Sequence, residues 1–233
     1  MAWTNVLFAD SLTQLYPYTP TTVHMRNCTF ASATSNLLWL YVIAGSTWSI
    51  KDCIFANVTV TNFGAGSVSN SYNGYLTNAS RLVPIAANDT VLATNTANFQ
   101  TGALGSWYLP SNSGFVDKGS VTNAGFVGLW HYTTQTSQTK DAGTILDLGF
   151  HYVAVDGNGR AIDSDSESLA DYLEDANGNG AVDSGETDPS DADTDGDGVD
   201  DYTEWIQGRN PLVNGIAGDT NGLINLRIYT PLK

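Results

Sequence analysis

Hydrophobic positions in the first third of the chain recur in short blocks, and three blocks align with one another: WTNVLFA at 3–9, MRNCTFA at 25–31 and IKDCIFA at 50–56. The offsets are 22 and 25 residues. One column holds Asn5, Asn27 and Asp52, the next Val6, Cys28 and Cys53, and a third Phe8, Phe30 and Phe55. Between the blocks lie β-prone runs rich in Thr, Ser, Asn and Gly, with almost no helical periodicity. A unit of this length cannot bury its apolar face alone, whereas stacked copies can. The pattern therefore predicts coils of a parallel β-helix, with phenylalanines stacked inside and the Asn/Asp column bonding as a ladder at a turn. An antiparallel β-sandwich, whose strands also recur regularly, is the alternative.

The pattern changes after residue 155. The glycine-rich DGNGRAI at 156–162 reads as a joint. Short helical patterns follow at 169–176 and 200–212, with Gly208 and Pro211 as stop signals. They put Leu169, Tyr172 and Leu173, and Tyr202, Trp205 and Ile206, on one helical face, expected to pack the neighbouring loops together or against the β-helix end. Ile224, Leu226 and Ile228 alternate with polar residues or Tyr229, which predicts a terminal strand. The expected organisation is mainly β: coils and a C-terminal cap at 1–155, the joint, loop repeats at 163–212, and at 213–233 a strand. That strand would lead to a further domain or add to another chain's sheet edge.

Charge sharpens this division. Of 233 residues, 42% are hydrophobic, enough to bury a real core. The net charge of −15 is concentrated in one half: residues 1–150 hold six acids and five bases, whereas 151–233 hold eighteen acids and four bases. Between Asp156 and Glu204 seventeen acids face one base, Arg160. Such a segment repels itself unless cations neutralise it, so divalent ions are the natural partner and nucleic acid and anionic membrane surfaces are disfavoured. No apolar run is long enough to cross a membrane, and the N-terminus lacks the pattern of a signal peptide.

The acids are spaced as ligands. Asp193 to Glu204, DTDGDGVDDYTE, fits the twelve-residue calcium loop D-x-[DN]-x-[DN]-G-x₅-E. Asp193, Asp195 and Asp197 offer carboxylates at positions one, three and five, Val199 its carbonyl at seven, Asp201 a direct or water-mediated contact at nine, and Glu204 a bidentate carboxylate at twelve. Asp175 to Glu186 matches equally, with Asp175, Asn177, Asn179, the Ala181 carbonyl, Asp183 and Glu186. Asp163 to Glu174 is a degraded copy: Asp163, Asp165, Asp171 and Glu174 keep their places, but Glu167 is one methylene too long and Ser168 replaces the turn glycine. Two Ca²⁺ sites are expected, with a third or bridging site open. A solvated acidic linker is the plain alternative.

These residues carry a resemblance. The N-C-x-F coils resemble bacterial secreted right-handed parallel β-helix proteins. GSWYLPSNSGFVDKGS at 105–120 and TILDLGFHYV at 144–153 are similar to that family's closing motifs, except that Gly114 stands where a proline is usual. Residues 193–201 resemble thrombospondin type 3 calcium repeats, which implies that Asp188 and Asp191 add ligands between loops. The family includes polysaccharide lyases and hydrolases, which need carboxylate pairs or a calcium cluster with a basic residue. Residues 1–150 contain no Glu, and Asp117 and Asp147 lie in the closing motifs, where capping explains them. His24, His131 and His151 lack metal-ligand spacing, and Trp39, Trp48, Trp107 and Trp130 read as core more readily than as a sugar platform. Cys28 and Cys53 fall in one column of adjacent coils, within disulfide reach, yet stacked cysteines also persist as buried thiols.

The expectation is a non-enzymatic, calcium-binding structural or adhesive segment of a longer secreted, cell-surface bacterial protein. Its partners would be calcium and a surface polysaccharide or neighbouring subunits, without nucleic acid or membrane insertion. The cap of a carbohydrate-active β-helix enzyme and an extracellular filament subunit are the alternatives.

Overall fold

The computed structural model describes residues 1–10, 13–76, 81–92 and 98–215. The chain divides into two compact units, Met1–Gly159 and Arg160–Lys233. The predicted terminal strand lies outside the described residues.

The first unit begins with β1 (Ala2–Thr4), β2 (Leu7–Ala9), β3 (Thr13–Leu15), β4 (Thr22–Arg26) and β5 (Thr29–Tyr41). It continues with β6 (Thr47–Lys51), β7 (Ile54–Phe63), β8 (Ser67–Ser71), β9 (Gly74–Leu76) and β10 (Thr90–Leu92). Two parallel sheets result, ordered β1-β4-β6-β8 and β10-β9-β7-β5-β2, with β3 also on β5. This is a parallel β-helix of about three turns, since each coil contributes a strand to both sheets and no pairing among these strands is antiparallel. Register follows the repeat: Phe8 faces Phe30, which faces Phe55. Their rings stack at centroid distances of 4.6 and 5.2 Å. Tyr75 extends the stack at 5.2 Å, so 67–76 is a further coil that the aligned blocks did not reveal. Burying each such ring contributes about 1.5–3 kcal/mol, and the stack runs through the main core with Met25, Leu38, Leu40 and Ile50.

Asn5, Asn27 and Asp52 turn the corner between sheets with φ of 57°, 50° and 56°. Short polar side chains tolerate this left-handed region best. Their bonds go to the later chain: Asn5 Nδ2 donates to His151 O at 2.7 Å, and Asn5 Oδ1 accepts from His151 N at 2.6 Å. Asn27 Nδ2 donates to Asp147 O at 3.3 Å. Buried Asp52 accepts from Ser120 N and Oγ, both at 2.7 Å, and pairs with Arg26 Nε at 3.4 Å. The closing segment thus lies along the corner column.

That segment carries β11 (Gln100–Gly102) and β12 (Gly105–Tyr108), a 3₁₀ turn at Ala124–Val127, and the antiparallel pair β13 (Tyr132–Thr133) and β14 (Tyr152–Val153). Asp147 is buried, with Asp117 N at 2.8 Å and a short bond from Thr134 Oγ1. Cys28 and Cys53 are buried free thiols, so the disulfide left open by their alignment is not formed. Burial pushes the Cys53 thiol well above its ordinary value. No helix among the described residues is long and apolar enough to cross a membrane.

In the second unit, α1 (Asp171–Glu174) ends the first acidic loop and α2 (Asp201–Gln207) begins within the third. Asp200 caps α2 by accepting from Thr203 N at 2.6 Å, and Gly208 ends it at φ 70°. The predicted packing face is only partly realised: Leu169 is buried, whereas Leu173, Trp205 and Ile206 are exposed.

Candidate metal centre

The three loops share one backbone. Positions four and six take positive φ in each: Ser166 and Ser168 at 68° and 90°, Gly178 and Gly180 at 67° and 82°, Gly196 and Gly198 at 72° and 92°. Ser168 therefore keeps the turn that its side chain was expected to spoil.

Side chains at positions one, three and five curl inward onto following N–H groups. At position one, Asp163 Oδ2 accepts from Ser168 N at 3.0 Å, Asp175 Oδ2 from Gly180 N at 2.6 Å and Asp193 Oδ2 from Gly198 N at 2.8 Å. At position three, Asp165, Asn177 and Asp195 each accept from the N–H two residues on, at 3.3, 3.0 and 3.1 Å. At position five, Glu167 accepts from Leu169 N, Asn179 from Ala181 N and Asp197 from Val199 N, at 2.6, 2.7 and 2.9 Å. Carboxylates are gathered by this folding. Oxygens of Asp163, Asp165 and Glu167 lie within 4.8 Å of one another, as do those of Asp193, Asp195 and Asp197. Like charges this close repel one another unless a cation sits among them.

At position twelve the first and third loops carry glutamates with oxygens that lack hydrogen bonds. Glu174 is buried: Oε1 accepts from Thr187 Oγ1 at 3.1 Å and Oε2 has no hydrogen-bond partner. Glu204 is fully buried with neither oxygen hydrogen-bonded. Arg209 Nη2 stands as an ion pair 3.2 Å from Glu204 Oε1 and 3.3 Å from Asp197 Oδ2, which shows that these two carboxylates face one space. Burial pushes Glu174 up to about 8, with Asp165 and Glu167 adding to the rise. Burial likewise pushes Glu204 up to about 7, opposed by Arg209 and assisted by Asp195 and Asp197. Asp165 Oδ2 and Asp195 Oδ2 are also buried without partners. The bare oxygens thus occupy positions three and twelve of both loops.

The second loop is built differently. Glu186 Oε1 accepts from Asn177 N at 3.1 Å and Oε2 from Asp183 N at 3.0 Å. Asn177 and Asn179 each donate an Nδ2 bond to Asp183 Oδ2, at 2.9 and 2.6 Å. Those amides, Asn177 first, hold Asp183 below the ordinary carboxylate value.

Position nine braces the loops. Asp171 accepts from Ser164 N and Oγ at 2.8 and 2.9 Å, and Asp201 from Thr194 N and Oγ1 at 3.0 and 2.6 Å. Asp188 accepts from Ser190 N and Oγ, and Asp191 from Asp193 N. Neither belongs to a triad. The all-oxygen carboxylate set suits a hard cation such as Ca²⁺.

His151, fully buried, has Nδ1 2.9 Å from Gly149 O and Nε2 3.0 Å from Asp141 Oδ2, so both ring nitrogens are engaged. Of the predicted tryptophans, Trp48 is buried in the coils, Trp107 packs on Phe99 and Trp39 is exposed on β5. Trp48 also lines a cavity of about 410 Å³ with Trp3, Tyr16 and Tyr18. Comparison with protein families, curated proteins and solved structures returned no match.

Proposed function

We propose that residues 163–204 form a calcium-binding module, and that the chain is a non-enzymatic structural or adhesive segment of a secreted or cell-surface protein. The supporting observation is the pair of buried glutamates, Glu174 and Glu204, which carry oxygens without hydrogen bonds and feel the charge of triad members Asp165 and Glu167 or Asp195 and Asp197. Leaving a buried carboxylate oxygen without a hydrogen bond is costly, and a bound cation offsets that cost. Cation binding would order the loops and stiffen the segment, in the manner of the thrombospondin type 3 repeats that the sequence resembles. An ion that binds only the ordered state stabilises it by about 2.7 kcal/mol per site at a hundredfold excess over Kd. A protein or polysaccharide partner would be the binding counterpart, with exposed Leu173, Val182, Trp205 and Ile206 as apolar contacts.

The test is a calorimetric calcium titration of the chelator-stripped chain, with thermal melts with and without calcium. Saturable binding and a calcium-dependent transition separate from that of the β-helix are expected. Glu204→Gln should weaken binding and leave the β-helix transition in place. Absence of binding heat together with superimposable melts would refute the reading.

A further inference from the structure

Resting on that reading, we infer that the cations sit in the loops Asp163–Glu174 and Asp193–Glu204, while Asp175–Glu186 closes on its own amides and takes none. This reverses the ranking that the sequence motif suggests, in which the first loop is the degraded copy and the second is a full match.

Three features separate the loops. The first is unmet bonding capacity. Bare buried oxygens occur at Asp165 and Glu174 in one loop and at Asp195 and Glu204 in the other, at the same two positions. The second loop contributes no such atom: both oxygens of buried Glu186 are hydrogen-bonded, and Asp183 is exposed with its Oδ2 held by two amides.

The second feature is charge. Positions one, three, five and twelve carry four carboxylates in the first loop and four in the third, against two carboxylates and two amides in the second. The asparagine side chains matter doubly there. Each presents a neutral oxygen inward and uses its nitrogen as a built-in donor to Asp183, 2.9 Å from Asn177 and 2.6 Å from Asn179. Admitting a cation with the usual bidentate glutamate would require Glu186 to give up its bonds to Asn177 N and Asp183 N.

The third feature is the backbone of the first loop. Ser168 holds φ 90° beside 82° at Gly180 and 92° at Gly198, so its ligand-bearing turn is already made. Glu167, the long residue at position five, still brings an oxygen within 4.8 Å of those of Asp163 and Asp165.

Native mass spectrometry of the full chain, titrated with calcium, counts the ions directly. Two per chain are expected. Asp165→Asn and Asp195→Asn each keep Oδ1 as the acceptor for the loop N–H but lose the bare carboxylate, so each should bind one ion. Glu186→Gln should still bind two. Terbium luminescence sensitised by nearby Tyr172 or Trp205 gives a second count that does not depend on ion survival in the gas phase. Three ions in the unaltered chain, two ions retained by Asp165→Asn, or one lost by Glu186→Gln would each overturn the assignment. Binding of no ion by the unaltered chain would instead remove the calcium-module reading.

Discussion

Glu167 Oε2 accepts the backbone N–H of Tyr202 at 2.6 Å, which joins the first loop to the first turn of α2 across thirty-five residues. N–H groups in a helix's first turn have no partner within the helix, and a carboxylate there also meets the positive end of the helix dipole. The helix so anchored carries Asp201 and Glu204. A cation that fixes Glu167 therefore orders the ligands of the third loop. Calcium is expected to bind with positive cooperativity in the unaltered chain. Glu167→Asp retains a charge beside Asp163 and Asp165 but is one methylene too short for Tyr202, so the two sites should titrate independently. Calorimetry resolves the two cases, and equal cooperativity in the variant would refute the coupling.

Arg209 places a permanent positive charge against Glu204 and Asp197, at 3.2 and 3.3 Å. A divalent ion in the third loop must share that space with a like charge. Arg209→Met keeps much of the apolar stem and removes the competitor. Tighter binding at the third loop by about tenfold is expected, equivalent to about 1.4 kcal/mol, with a less stable ion-free module. Terbium titration of the third-loop site checks the affinity, and a melt in chelator checks the stability.

Gly74 opens β9 where the closing segment crosses the coils. A Cβ there would lie 2.7 Å from the Phe115 ring and 3.2 Å from Leu148. Both neighbours are buried and have no room to withdraw. Gly74→Ala should destabilise the β-helix by about 1–3 kcal/mol, the usual cost of overpacking, while calcium binding by the second unit is unchanged. A denaturant titration followed by tryptophan fluorescence measures the first effect.

Much of the β-helix was legible because stacking repeats the same environment, so Phe8, Phe30 and Phe55 announce one another. The next coil was hidden, since Asn73, Gly74 and Tyr75 replace the Cys, Ile and Phe of the previous block. Its glycine is explained by Phe115, which lies forty-one residues on and was invisible to the repeat. The corner column was also legible, but its partners were not: Asn5 bonds His151, a pairing that depends on how the chain returns. Loop spacing was read directly. Exposure of Trp205 and Ile206 was not, because helical periodicity marks an apolar face without saying what covers it.

By itself the sequence determined the stacked-coil architecture, the separation of a near-neutral half from an acidic one, and the acidic and amide side chains at their twelve-residue loop spacing, because these follow from periodicity and residue chemistry. Only the tertiary structure decided which oxygens remain bare. Glu174 and Glu186 occupy the same place in their loops, yet one keeps an unpartnered oxygen and the other is closed by two backbone N–H groups. Hydrogen-bond satisfaction is a property of the three-dimensional surroundings, and it distinguishes the first and third loops from the second.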